Sequence, residues 1–157
     1  MANFIGSATI RGVACDTING GAYFLGTGTP FLGYYNSTSN RTNNITKSFG
    51  DGFIKGTTIN DITFDSINQD GGIFIATDLG GFYYYNRTTN LTHNLSATDV
   101  GNWIAANGLS DASFNPKNET VYIAGAAGAF GVYLRRNLSF TAPAGESEDT
   151  TAPIING

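Results

Sequence analysis

The chain has 157 residues, with 8 Lys and Arg against 12 Asp and Glu, a formal net charge of −4, and no cationic cluster beyond Arg135-Arg136. Nucleic acid is therefore not an expected partner, because such a surface needs several clustered cations to displace counterions. Hydrophobic residues at 41% and aromatics at 13% exclude global disorder, and no apolar run is long enough to span a bilayer as a helix.

Charged residues make up only 13% of the chain, well below the roughly 25% of an average soluble domain. Asn, Thr, Ser and Gly supply the polarity instead. Thr, Tyr, Phe and Ile favour strands, and Asn and Gly favour tight turns, so the composition points to an all-β fold.

Residues 1–8 read as an N-terminal extension strand carrying Asn3, Phe4 and Ile5. This start lacks a charged stretch followed by an apolar one, so an export signal, if used, has been removed or replaced. From Ile10, "IRGVACDTINGGAYFLGT" opens a first repeat, residues 9–58. It returns from Ile59 as "INDITFDSINQDGGIFIAT" (residues 59–108) and from Leu109 as "LSDASFNPKNETVYIAG" (residues 109–141), at offsets of 49 and 50. Cys15, Phe64 and Phe114 correspond, as do Asp16, Asp65 and Asn115. "LGYYNSTSNRTNNIT" from Leu32 matches "FYYYNRTTNLTHNLS" from Phe82, and the third copy keeps only "FGVYLRRN" from Phe130. Phe53-Ile54 likewise matches Trp103-Ile104.

Each copy reads as strands separated by turns. In the second copy, Ile62 and Phe64 alternate with polar neighbours, the period of a half-buried strand. "IFIAT" from Ile73 is the most apolar strand, "FYYYN" follows a Gly turn, and a more polar fourth strand runs through Leu91, His93 and Leu95. The expected repeat core is Ile62, Phe64, Phe74, Tyr84, Trp103, Phe114 and Tyr122, with Cys15 a small buried hydrophobe. Alternation puts Tyr84 on one face and Tyr83 and Tyr85 on the other. One set is expected to pack between repeats, leaving the other to face a partner or a sugar.

Four antiparallel strands in a period of about 50 residues mark a propeller blade. A parallel β-helix has shorter coils and lacks the hairpin turns. The sequence of a strand ending in Asp, a Gly turn, "IFIAT" and "GGFYYYN" resembles the blades of the kelch-like and sensor-regulator propeller families over residues 9–135. That resemblance implies fold rather than activity. The tail, residues 142–157, contains "GESEDTTAPIING", which resembles the opening of an immunoglobulin-like module in bacterial and archaeal surface proteins.

Two full copies and a truncated one cannot close a ring of about four to eight blades. Two chains making a six-bladed ring, head-to-tail addition making a fibre, and excision from a longer propeller all remain open. Asn3, Phe4 and Ile5, or Leu138 and Phe140, are the candidate strands for adding to a neighbour's edge.

Asn-x-Ser/Thr occurs eight times, at Asn36, Asn40, Asn44, Asn86, Asn90, Asn94, Asn118 and Asn137. Six of these form two triplets spaced by four, which on one extended strand would share a face. They are candidate glycosylation sites and would imply export. "YNRTTN" is equally what a strand–turn–strand requires.

Catalytic material is thin. His93, the single histidine, cannot build a multi-His metal site within one chain and is expected to face solvent. "DSINQDGG" is a poor calcium loop, with Ile67 at a ligand position. Asp16 and Asp65 fit Asx-type turns, and the Gly-rich stretches lack the Gly-Lys-Ser/Thr ending of a phosphate loop. The expectation is therefore no enzyme, no metal and no cofactor: a self-associating extracellular or cell-surface structural protein, with a carbohydrate- or ligand-binding propeller module as the alternative.

Overall fold

A computed structural model describes residues 9–26, 31–45, 58–69, 71–79, 81–95 and 108–135. Several expectations lie outside them: the strands at Asn3, Phe4, Ile5, Leu138 and Phe140, the sequon Asn137, Phe53, Trp103 and the tail.

The described residues form three antiparallel meanders. β1 (Ile10–Asp16), β2 (Gly21–Gly26), β3 (Phe31–Asn36) and β4 (Arg41–Asn44) make the first sheet, in that order. β5 (Ile59–Asp65), β6 (Gly72–Thr77), β7 (Phe82–Asn86) and β8 (Leu91–Asn94) make the second, and β9 (Leu109–Asn115), β10 (Thr120–Gly125) and β11 (Phe130–Leu134) the third. Each first strand carries a register shift near its start, at Ile10/Gly12, at Ile59/Asp61 and opposite Ala124/Gly125. Such a bulge bends and twists the strand.

Turn chemistry fixes the register. Asp16 accepts from the backbone N–H groups of Ile18 and Asn19, and Asp65 from those of Ile67 and Asn68. These are Asx turns, and they hold Asp16 opposite Gly21 and Asp65 opposite Gly72. Gly20 (φ 67°) and Gly71 (φ 69°) take the left-handed residue that each turn requires.

The sheets stack face to face, giving two apolar layers. Ala14, Tyr23, Leu25, Leu32 and Tyr34 of the first sheet meet Ile62, Phe64, Ile73, Ile75, Tyr83 and Tyr85 of the second. Phe74, Ala76, Phe82 and Tyr84, on the opposite face of that sheet, meet Leu109, Ala112, Val121, Ile123 and Tyr133 of the third. All six residues of β6 and all five of β7 are buried because neighbours cover both their faces. The tyrosine strip therefore divides as alternation requires, but neither set faces solvent. A sheet buried on both sides has no free aromatic face.

Three further expectations are corrected. Cys15 is exposed, because the face of the first sheet that carries it has no neighbour among the described residues. Tyr122 is only half-buried for the corresponding reason on the third sheet, where its ring stacks at 6.0 Å on the exposed Phe130. His93 is half-buried rather than solvent-facing, and burial lowers its pKa.

Candidate functional site

The two joints between sheets contain a polar cluster built from repeat-equivalent residues. At the first joint, the Tyr34 hydroxyl donates to Asp16 Oδ2 at 2.9 Å, and Arg87 Nη1 reaches across from the second sheet to the Tyr34 oxygen at 2.9 Å. Arg87 lies 3.4 Å from Asp16 Oδ2 and sits over the Tyr34 ring at 5.4 Å. At the second joint, the Tyr84 hydroxyl donates to Asp65 Oδ2 at 3.1 Å, and Arg135 Nε of the third sheet donates to the same oxygen at 2.7 Å. Both Asp side chains are fully buried. A buried carboxylate needs this enclosure of donors and an opposite charge to remain ionised.

The cluster also needs glycine. A Cβ at Gly21 or Gly72 would collide with the hydroxyl of Tyr34 or Tyr84, so Asp, Gly and Tyr on one sheet and Arg on the next form a unit. Burial, followed by the neighbouring Asp, raises the pKa of both tyrosines. Burial works against the charge of Arg135, but the hydrogen bond to Asp65 together with the charges of Asp65, Tyr84 and Glu119 raises its pKa. The sequence displayed the Asp turn without revealing this cross-joint role. The available signal was the recurrence of Arg87 and Arg135 at the same point of successive copies.

The third sheet loses the unit as a whole. Asn115, Thr120 and Val132 occupy the Asp, Gly and Tyr positions, and on the first sheet Ser37 occupies the Arg position. Neither open end thus carries its half of the ion pair.

The second joint has an additional set of contacts along the first strands. Asn60 Nδ2 donates to the Leu109 carbonyl at 2.6 Å. The N–H groups of Ala112 and Phe114 donate to Asp61 Oδ2 at 3.0 Å and Thr63 Oγ1 at 3.1 Å. Burial and a hydrogen bond with Asp111 push the Asp61 carboxyl up to about 6. At the first joint, Gly12 and Ala14 stand where Asp61 and Thr63 stand, so that clasp is absent.

Beyond the joints lie two sheet faces that no described sheet covers. The outward face of the first sheet carries Val13 (60% exposed) and Cys15, positions filled by the buried Ile62 and Phe64 one repeat later, beside a buried Phe24. The outward face of the third sheet carries Tyr122, Ala124, Val132 and Phe130 (62% exposed), positions filled in the second by the buried Phe74, Ala76, Tyr84 and Phe82. Both are apolar sheet faces of the kind that elsewhere in the molecule lie between sheets.

The sequon triplets do not share a strand face. Asn36 ends β3 and pairs with Arg41, Asn40 is in the turn, and Asn44 lies on the returning strand; Asn86, Asn90 and Asn94 repeat this. Asn36 Oδ1 caps the Ser39 N–H, and Asn86 Oδ1 caps those of Thr88 and Thr89. Asn40 and Asn90 adopt left-handed φ (51° and 59°) and accept from the Tyr35 and Tyr85 hydroxyls. The four-residue spacing is that of a hairpin turn. Asn86 is 3% exposed, whereas Asn40, Asn44 and Asn118 are exposed. Among the described residues, no group of three or more His, Cys, Asp and Glu is arranged to hold a metal ion, and no helix is long and apolar enough to cross a membrane.

No protein-family model and no curated protein sequence matches the chain. Among solved structures, it is similar to YCF48 bound to D1 peptide, at a TM-score of 0.59 and 14% identity. The match covers 80% of this chain and 37% of that one. At this identity the likeness concerns fold alone. With the three stacked meanders, it defines the class: a β-propeller-type module with an incomplete set of blades. The chain spans little more than a third of that larger protein.

Proposed function

We propose that the protein is a non-enzymatic, extracellular or cell-surface structural module that associates with further copies of itself through its open blade faces. The observation that carries this reading is the exposure of Val13 and Phe130 at positions buried in the neighbouring repeat. An apolar face of this kind, left in water, favours association. Exposed sequons at Asn40, Asn44 and Asn118 support the extracellular assignment, as does a charged fraction of only 13%. Sedimentation velocity over a wide concentration range tests the reading. Concentration-dependent growth of the particle is the expected result, and a monomer at every concentration overturns it. Negative-stain images then separate rings from fibres.

A second reading is favoured by the YCF48 structure, which holds a peptide. On that reading the module binds a ligand, with a peptide or carbohydrate as the candidate. Tyr83, Tyr84 and Tyr85 are buried, which removes them as a stacking platform. Binding of a glycan or peptide array by a strictly monomeric protein would select this reading over self-association.

A further inference from the structure

Within a self-associating protein, and resting on that reading, we infer that the contact is polar: the outward face of the third sheet receives the outward face of the first sheet of a second copy. Three observations point to this pairing rather than to like faces meeting.

The first is continuity. Both joints inside the chain place the same side of one sheet against the opposite side of the next. Repeating that step beyond the third sheet brings Tyr122, Phe130 and Val132 against Val13 and Cys15 of the incoming copy. Val13 then takes the place that Ile62 has at the first joint and Ala112 at the second.

The second is hydrogen bonding along the first strands. At the second joint, Asp61 and Thr63 receive the N–H groups of Ala112 and Phe114. The third sheet repeats the acceptors as Asp111 and Ser113. The repeat equivalents of Ala112 and Phe114 on an incoming first sheet are Val13 and Cys15, whose N–H groups occupy the same place on the strand. The clasp is thus duplicated on the one sheet that no described sheet follows.

The third is charge. An Asp at position 115 would be buried by a copy that brings Ser37, and an Arg at position 37 would be buried by a copy that brings Asn115. Either would leave an uncompensated charge. Both members are neutral, so the two ends match one another and neither matches the charged half of an internal joint.

Complementation decides the matter. Val13 and Phe130 are exposed, so Val13→Glu and Phe130→Glu are expected to leave the fold intact, which circular dichroism would check. Each variant alone is expected to be monomeric under conditions where the parent associates. Mixed, they are expected to form a heterodimer and stop there, because each retains one working face. Cys15, the only cysteine, gives an independent readout in the unmodified protein. Its reaction with a thiol reagent should slow by at least about tenfold when the copies assemble, since only an accessible thiol reacts. Association of Phe130→Glu alone, failure of the mixture to dimerise, or undiminished Cys15 labelling in the assembled parent overturns the polar contact and leaves self-association standing. A parent that never associates overturns both.

Discussion

The first and second joints are built from the same repeat and are held in unequal ways. At the second, Arg135 Nε lies 2.7 Å from Asp65 with 17% of its side chain exposed; at the first, Arg87 is 3.4 Å from Asp16 and 31% exposed. The second joint also has the strand clasp from Asn60, Asp61 and Thr63, where the first has Gly12 and Ala14. Both joints are aromatic: at the first, Tyr23 lies 6.3 Å from Phe64 and 6.4 Å from Tyr85 and donates its hydroxyl to the Gly71 carbonyl at 3.2 Å, and at the second, Phe74 lies 5.8 Å from Phe114 and 6.0 Å from Tyr133. The second joint thus adds a polar clasp to an aromatic packing that both joints share.

The inequality of the joints is largest at the two arginines. Arg135→Met removes the closest donor from a buried carboxylate and should destabilise the protein by about 2–3 kcal/mol, below the usual loss for a broken buried pair because Tyr84 and two turn N–H groups remain. Arg87→Met, at a longer and more exposed contact, should lose less than about 1 kcal/mol. Urea denaturation of both variants reads the difference. Equal losses would mean that the joints are held alike.

A smaller effect distinguishes the clasp. The Asp61 carboxyl is raised from 3.8 to about 6 by burial and by its hydrogen bond with Asp111, so the folded state holds this proton more tightly than the unfolded state. Its contribution to stability is greatest below about pH 4 and is lost as pH rises through about 6. Asp61→Asn keeps the acceptor for Ala112 and donates permanently towards Asp111. It should remove this component and make the protein more stable than the parent at pH 7, by on the order of 1–2 kcal/mol. Melting temperatures of both proteins at pH 4 and 7 measure it, with the gap between them expected to be larger at pH 7.

The smallest effect belongs to the hairpin turns. Asn90→Ala places a Cβ residue with no side-chain acceptor at φ 59° and forfeits the bond from Tyr85. It should cost about 1 kcal/mol, whereas Asn90→Gly should cost only a few tenths. The same pair of substitutions at Asn40, where the Tyr35 bond is exposed, should show the same order with smaller differences.

The all-β fold, the repeat and most strand positions were legible in the sequence, because period-two alternation and Asx–Gly turns are local properties. Ile62, Phe64 and Phe74 could be read from their own strands. Tyr122 could not. It occupies the position of Tyr23 and Phe74, and only the absence of a following sheet among the described residues leaves it half-buried. Cys15 is exposed for the same reason at the other end. The sequons looked like a strand-face array until the hairpin showed Asn36 and Asn44 on different strands, with Asn40 held in the turn.

Residue alternation and turn chemistry act over a few neighbours, and they alone dictate repeated β meanders. What the equivalent positions do depends on the packing of one sheet against the next. Asp16 and Asp65 are turn residues on their own sheets and become buried ion-pair partners when the next sheet supplies an arginine. Val13 and Phe130 are repeats of core residues, exposed because burial is a property of the neighbour and not of the strand.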